Sequence, residues 1–311
     1  MNKGFASWGR LFRLSLAPTA VGDVLAGSVL AVTASGIEPT GAALTMITLV
    51  ISSLLVYHGG MAFNDWCDRE EDAVVRPERP LPSGAISPAA ALGASLLGFV
   101  LGPLLAASVH PPAGLWCAGM ALAAALYDSR GRGAWIGPGL LGLCRALNLG
   151  LPILAFGGFE AFALLWPAPL AYGAYVFVLS RLGRLEDGEA TAGNRYVPQF
   201  LLVLLGLIFW CLPFLPLEFS SGDPTSLALG RRVALGIGLA ASWGLFSKAR
   251  SLGAWKPSDL IPAMGCALRR MLPFSAALAA LSGTTFGFVV ALVILCLFPI
   301  AVWLRGVFPP S

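Results

Sequence analysis

The sequence predicts an all-α fold: a polytopic membrane bundle of nine or ten transmembrane helices around a central apolar cavity. Three observations lead there. Of the 311 residues 57% are apolar and only 12% charged, with a mean hydropathy of +0.79, against about 25% charge in an ordinary soluble domain. The apolar residues come in repeated blocks of about 20, the length that crosses roughly 30 Å of hydrocarbon. Basic residues gather in alternate connections between the blocks, as cytoplasmic loops require. Residues 1–311 therefore read as one domain embedded in a lipid bilayer, and an ordinary soluble enzyme is excluded.

The first block runs from about 14 to 35. Basic residues precede it, but it continues past signal-peptide length, so it reads as a membrane helix rather than a cleaved leader. Further blocks occupy 43–63, 88–109, 112–127, 134–156, 161–180, 197–217 and 228–247. The last, 272–304, is long for one helix and short for two, with Ser282-Gly283-Thr284-Thr285 as its candidate turn, which leaves the count at nine or ten. With the N-terminus inside, the inner segments hold Lys3, Arg10, Arg13; Arg69, Arg76, Arg79; Arg130, Arg132; Arg181, Arg184, Arg195; and Lys248, Arg250, Lys256, Arg269, Arg270, which is 16 of the 20 basic residues. Arg231 and Arg232 fall on the other side and Arg145 lies within a block, while Arg305 favours ten helices because it places the C-terminus inside. The expectation is a multi-pass protein of a bacterial-type inner membrane, with its N-terminus and polar loops cytoplasmic.

Net charge is +4 and diffuse, and no basic run is interleaved with aromatics, so nucleic acid is not an expected partner. Six cysteines without a CxxC pair, mostly inside apolar blocks, predict neither a disulfide framework nor a zinc site. The connections on the outer side, such as 36–39 and 156–160, are short. Those after blocks two, four and six carry the polar chemistry.

Residues 65–72 hold five of the chain's 16 carboxylates. On a helix, Asp65, Asp68 and Asp72 fall within about 60° of one another, with Asn64 beside them. Like charges held that close call for a neutralising cation. Mg²⁺ suits them, because it takes one or two carboxylates and completes its shell with water and phosphate oxygens. The following Arg76-Pro77-Glu78-Arg79-Pro80-Leu81-Pro82-Ser83-Gly84 sets two arginines in a proline-stiffened turn, and their forks match phosphate oxygens. Together these describe a diphosphate site at a membrane surface. The bland alternative is a solvated charge cluster capping a helix, against which stand the one-sided spacing and the adjoining turn.

The pattern Asn64-Asp65-x-x-Asp68-x-x-x-Asp72, followed by Arg76-Pro-x-Arg79-Pro-Leu-Pro-Ser-Gly, resembles the first aspartate-rich motif of the UbiA-type intramembrane prenyltransferases. The likeness extends over almost the full chain. It implies a nine-helix fold in which Asn64, Asp65, Asp68 and Asp72 hold Mg²⁺ against the diphosphate of a polyprenyl donor. After block four the family usually has a Tyr and a Lys-Arg pair; here Tyr127 matches, and Arg130 and Arg132 stand in for the pair, with a plain basic inner loop as the alternative. After block six the family usually has a DxxxD pattern for a second Mg²⁺. This chain offers Glu186, Asp187 and Glu189, a degenerate version in which Asp187 is the candidate ligand and Glu186 a candidate substrate contact, against a solvated loop.

In block five Arg145 and Asn148 share a helical face, and an arginine within a span should face a polar cavity. They read equally as a phosphate or acceptor contact and as a tie between helices. In block one, Thr19 stands near the place where relatives commonly carry an acceptor-binding Asn, and Asp23 could supply the polar group. These features look most similar to the UbiA-like branch of bacterial ebo gene clusters, which implies an acceptor outside the quinone, haem and chlorophyll pathways. His58 reads as a helix-packing hydrogen bond, and His110 is assigned nothing.

The resemblance thus implies Mg²⁺-dependent transfer of a prenyl group from a polyprenyl diphosphate to a small acceptor, aromatic or cyclitol-like, at the cytoplasmic side. Cleavage of the allylic C–O bond would be assisted by charge on the leaving diphosphate being met by the metal, Arg76 or Arg79, and Arg130. Asp23, Asp128 and Asp187 are placed to take the acceptor's proton. The alternative is a carrier or transporter that binds an isoprenoid without chemistry, which paired inverted halves would mark; the sequence shows no such pairing.

Overall fold

The computed structural model describes residues 3–130, 133–185, 196–219, 223–252 and 257–308, and among these the chain is helical with no strand. A short amphipathic helix, α1 (Lys3–Leu11), leads through a 3-10 turn (Leu14–Leu16) into α2 (Ala17–Ala34). Then follow α3 (Pro39–Cys67), α4 (Arg69–Val75), α5 (Pro88–Val109), α6 (Pro111–Arg130), α7 (Ile136–Leu165), α8 (Pro167–Arg184), α9 (Val197–Cys211) and α10 (Pro224–Ser251). The chain closes with α11 (Pro257–Arg269), α12 (Met271–Ala280) and α13 (Thr285–Val307). Proline in the first turn starts α2, α3, α5, α8, α9 and α10, where its missing N–H costs no hydrogen bond. Ser87 and Thr284 cap α5 and α13, accepting from Ala90 and Gly287 N–H at 3.2 and 3.0 Å.

Helix α2 is the hub. It packs against α3, α7, α12 and α13 and is buried on nearly every face. Glycine permits the closest of these approaches: a Cβ at Gly27 would overlap the Leu149 carbonyl of α7, and one at Gly98 of α5 would overlap the Leu55 carbonyl of α3. Beside the hub, Tyr172, Tyr175, Phe209 and Phe274 form an aromatic core with ring centroids 5.1–5.5 Å apart. On the outside large apolar side chains are exposed, among them Leu44 (76%), Leu115 (79%) and Leu292 (63%). An apolar outer face of this extent belongs against lipid, not water.

Two turns fall where the sequence places them, and two features depart from the sequence reading. The glycine-rich stretch 156–160 is the expected connection: Gly158 (φ 62, ψ −159) breaks α7 and the chain reverses there, since Gly142 packs on Gly173 and Gly150 on Phe162, while Trp166 keeps helical φ/ψ on the way into α8. The last apolar block does turn where expected, at Gly283 (φ 68). The helix before that turn, however, has only ten residues, about 15 Å long, and it continues from α11 after a break at Arg270. Among the described residues, six helices have both the length and the composition to cross a bilayer: Leu14–Ala34, Pro39–Cys67, Pro88–Val109, Ile136–Leu165, Val197–Phe214 and Thr285–Val307. The others are short or, like α6, α8 and α10, less apolar on average, α10 through Arg231, Arg232, Lys248 and Arg250. Nine or ten crossings is thus a statement about the bundle that these single helices do not carry. The rings of Phe5 and Phe308 meet at 5.8 Å, so the two ends of the described chain lie together.

Candidate active site

The aspartate-rich segment sits where α3 ends. The helix is interrupted at Asp68, so Asp65 belongs to α3 and Asp72 to the short α4 rather than to one unbroken face. The Asp72 N–H still donates to the Asp68 carbonyl at 2.8 Å, which keeps the two segments nearly in helical register. Asp65 and Asp72 are both buried, each 3% exposed. Glu70 and Glu71 face outward, and Glu70 pairs with Arg69. The five carboxylates therefore separate into an inward aspartate set and an outward glutamate pair.

What lies between the aspartates is arginine. Arg79 Nη1 stands 2.5 Å from Asp72 Oδ2 and 3.9 Å from Asp65 Oδ1, with the residue only 6% exposed. Arg76 lies 3.8 Å from Asp72, and half its side chain is exposed. Arg13 donates to Asn64 Oδ1 at 2.7 Å and to Asp65 Oδ1 at 3.2 Å. Asn64 Nδ2 donates to Asp128 at 3.0 Å and, more weakly, to Asp68 at 3.4 Å. The amide of Asn64 thereby joins α3 to the end of α6. Tyr127 lies within electrostatic reach of Arg184, Asp128, Arg13 and Asp68.

The scaffold beneath explains this convergence. Leu11, Ala62, Leu81, Ile86 and Ala91 form one buried apolar cluster with Trp8, Phe12 and Trp66 against it. This cluster pins the N-terminal segment and the 76–86 turn onto the end of α3. The turn closes through Ile86 N–H to the Pro80 carbonyl at 3.0 Å and through Gly84 at φ 73. His58 Nδ1 lies 3.0 Å from the Phe12 carbonyl, which can only accept, so Nδ1 carries the proton and the ring makes the expected packing bond. Arg13 is the one described non-glycine residue with positive φ (48°), a conformation that costs of order 1–3 kcal/mol and concentrates at functional positions. The sequence reading counted Arg13 only as an inner basic charge.

About two turns deeper along α3 lies a second polar centre. Asp23, fully buried on α2, accepts from Arg145 Nη1 at 2.9 Å, Asn148 Nδ2 at 3.1 Å and Ser275 Oγ at 3.1 Å. Arg145 Nη2 also donates to Thr19 Oγ1 at 3.1 Å, and Ser53 donates to Asn148 Oδ1 at 2.6 Å. The guanidinium lies 5.7 Å from the Tyr57 ring. Among the described residues the Tyr57 hydroxyl is buried without a partner, and that of Tyr172 lies beside Asp23 and Ser275 without a well-formed bond. Thr19, Asp23, Arg145 and Asn148, drawn from two separate blocks, thus form one constellation, and the Arg145 tie to α2 is realised.

Of the other expected residues, Arg132, Glu186 and Asp187 lie outside the described residues, and Arg130 is described only as the last residue of α6. Among the described residues no three carboxylate, histidine or cysteine side chains converge on one point as a metal cage. The donor chemistry nevertheless fits a hard divalent cation, since Asn64, Asp65, Asp68, Asp72 and Asp128 offer only oxygen. Arg79 Nη1, a cationic nitrogen between two buried carboxylates, marks where such charge is favoured.

An apolar-faced helical bundle with interleaved carboxylates and arginines at one end and a buried polar centre within is an integral, multi-pass membrane protein. The profile of the UbiA prenyltransferase family matches residues 16–257. This chain belongs to that family of enzymes. The digeranylgeranylglyceryl phosphate synthase of Methanothrix thermoacetophila is 34% identical over 201 residues, covering 57% of this chain and 67% of that protein. The synthase of the same name from Methanoregula boonei is 30% identical over 228 residues, 69% and 77% of the two chains. The bacteriochlorophyll synthase 33 kDa chain of Cereibacter sphaeroides is 32% identical over 172 residues, 51% and 55% of the two. Among solved structures, a UbiA homolog from Archaeoglobus fulgidus bound to GPP and Mg²⁺ superposes with a TM-score of 0.60 at 15% identity, over 88% of this chain and 99% of that one. At that identity the likeness is one of fold.

Proposed function

We propose that this protein transfers a prenyl group from a polyprenyl diphosphate to a small acceptor, working at the cytoplasmic mouth of a bundle that crosses the membrane nine or ten times. The observation that carries the reading is the placement of Asp65 and Asp72 on either side of Arg79, with Arg13, Asn64 and Asp128 completing the mouth. Relatives named as prenyl-transferring synthases and a homologue bound to GPP and Mg²⁺ support it.

The reaction follows from these residues. Arg13, Arg76 and Arg79 present forked donors that can exchange a carboxylate oxygen for a phosphate oxygen. Mg²⁺, held by Asn64, Asp65, Asp68 and Asp72, supplies the positive charge that stabilises the departing diphosphate; Asp187 is the candidate for a second ion. Arg130 and Arg132 extend the basic rim, and Tyr127 and Glu186 border it. The apolar tail lies among the helices, whose walls keep water from the allylic cation. The Asp23–Arg145–Asn148 centre with Thr19 receives the acceptor's polar groups, and the partnerless Tyr57 hydroxyl is a ready contact. Asp128, Asp23 or Asp187 takes the proton.

The test is diphosphate release by the purified protein with a series of prenyl diphosphates and with aromatic and polyol acceptors, at varied Mg²⁺. Release should require the metal and should vanish in Asp65→Ala plus Asp68→Ala. Donor binding that persists unchanged in that double variant defeats the diphosphate site. Donor binding without turnover on any acceptor makes the protein a carrier instead.

A further inference from the structure

A cleft of about 410 Å³ lies apart from the site just described, between the last turns of α10 and the α11–α12 break. Among the described residues its walls carry Lys248, Arg269 and Arg270 and no carboxylate. Among the described residues, Lys248 and Arg269 make no ion pair. Arg270 is held in place: Nε donates to the Ala241 carbonyl at 3.3 Å and Nη1 to that of Cys266 at 3.0 Å. Gly244 allows the guanidinium to lie flat on α10, because a Cβ there would overlap Arg270 Nη2. Ser247 and Ser251 add hydroxyls to the same wall.

Two residues say where the cleft sits. Trp243 on its rim is 72% exposed, and Ile261 on the neighbouring α11 is 56% exposed. An exposed tryptophan beside basic side chains at a helix end is the signature of a membrane–water interface. The cleft is on the same end of the bundle as the aspartate site, since Met264 of α11 packs on Gly183 near the end of α8. Arg269 also borders the shallow cleft that reaches Ser15 and Thr19. A basic residue in the last turn of α10 could merely offset the helix dipole. That reason covers Lys248 and, at the end of α11, Arg269, but not the anchored Arg270 or the convergence of all three on one cleft.

We propose that this cleft binds the phosphate headgroup of an anionic membrane lipid, with Lys248, Arg269 and Arg270 around the phosphate and Trp243 at the level of the glycerol. Basic pockets between membrane helices at the inner surface recognise such headgroups. The inference stands apart from the transfer reaction, and its readout needs no turnover.

The full-length protein, purified in a non-ionic detergent, is titrated with phosphatidylglycerol or phosphatidylcholine, and bound lipid is counted by native mass spectrometry. Phosphatidylglycerol should bind preferentially and weaken with salt. Lys248→Gln plus Arg269→Gln should weaken it by about 25-fold, taking about fivefold per charge removed near the surface, with phosphatidylcholine unaffected. Gly244→Leu, which displaces Arg270, should have the same selective effect, and helix content by circular dichroism confirms that each variant is folded. Equal binding of the two lipids, undiminished phosphatidylglycerol binding in the double variant, or displacement by millimolar inorganic phosphate alone would overturn the proposal.

Discussion

Replacing Arg145 by Met tests the buried centre most directly. Asp23 is fully buried, and among the described residues Arg145 is the sole cation bonded to it, at 2.9 Å. The replacement removes that bond and the one to Thr19 at 3.1 Å, leaving a carboxylate with only Asn148 and Ser275. Removing one partner of a buried pair costs about 3–5 kcal/mol, chiefly because the other charge remains uncompensated. Asp23→Leu alone should cost less, since the Arg145 side chain is 17% exposed whereas that of Asp23 is fully buried. The double variant carries neither charge, and its remaining cost is one lost hydrogen bond each at Asn148 and Ser275, which keep the Ala20 and Met271 carbonyls, about 1 kcal/mol each. The cycle should therefore show a coupling of about 3 kcal/mol, read from equilibrium unfolding in mixed SDS micelles. Additivity to within about 0.5 kcal/mol, the behaviour of independent sites, would refute the claim that the two side chains form one ion pair.

Arg13→Ala removes donors to Asn64 and Asp65; a charged hydrogen bond contributes about 1.5–3 kcal/mol, so prenyl diphosphate affinity by isothermal titration should fall about tenfold or more, with Arg13→Lys recovering part of it. Gly27→Ala forces a methyl against the Leu149 carbonyl and the Pro152 ring and should destabilise by about 1–3 kcal/mol in the same SDS assay, the range for overpacking. Gly41→Ala, where nothing stands near the added atom, is its control and should lose no stability. His58→Phe deletes the bond to the Phe12 carbonyl at 3.0 Å and should lower stability by about 1 kcal/mol, while diphosphate release at saturating donor stays within about twofold.

The aspartate site was legible because its information is local. Asn64, Asp65, Asp68 and Asp72 fall at helical spacing, and the Arg-Pro turn follows within a few residues, so period and charge alone set them on one side. Arg13 was not legible: a lone arginine ahead of an apolar block reads as an orientation charge, and only the left-handed turn at φ 48 carries it to α3. The Asp23–Arg145 pair spans 122 positions, beyond the reach of any periodicity. Gly157-Gly158 was legible because its turn is set locally, by the positive φ that Gly158 adopts without steric cost. The length of α12 was hidden because the break at Arg269-Arg270 coincides with a tertiary contact, the Arg270 bond to the Ala241 carbonyl of α10.

Charge balance at the mouth accounts for the interleaving of arginine with aspartate. Fully ionised, Asp65, Asp68, Asp72 and Asp128 carry four negative charges against three positive on Arg13, Arg76 and Arg79, a net of one negative. A prenyl diphosphate brings roughly three more negative charges near neutrality. Such a ligand is repelled by the carboxylates unless divalent charge enters with it, while the arginines that now neutralise those carboxylates are the groups best shaped for its oxygens. The same guanidinium therefore has two partners, and divalent charge on the aspartates would release it to the second. On this reading the carboxylates make binding conditional on the metal rather than strong in itself. Neutralising Asp72 would free Arg79 for phosphate and leave anion binding in place, while removing what couples that binding to the cation. A bundle built only to carry an isoprenoid would have no use for that coupling; one that must stabilise a leaving diphosphate does.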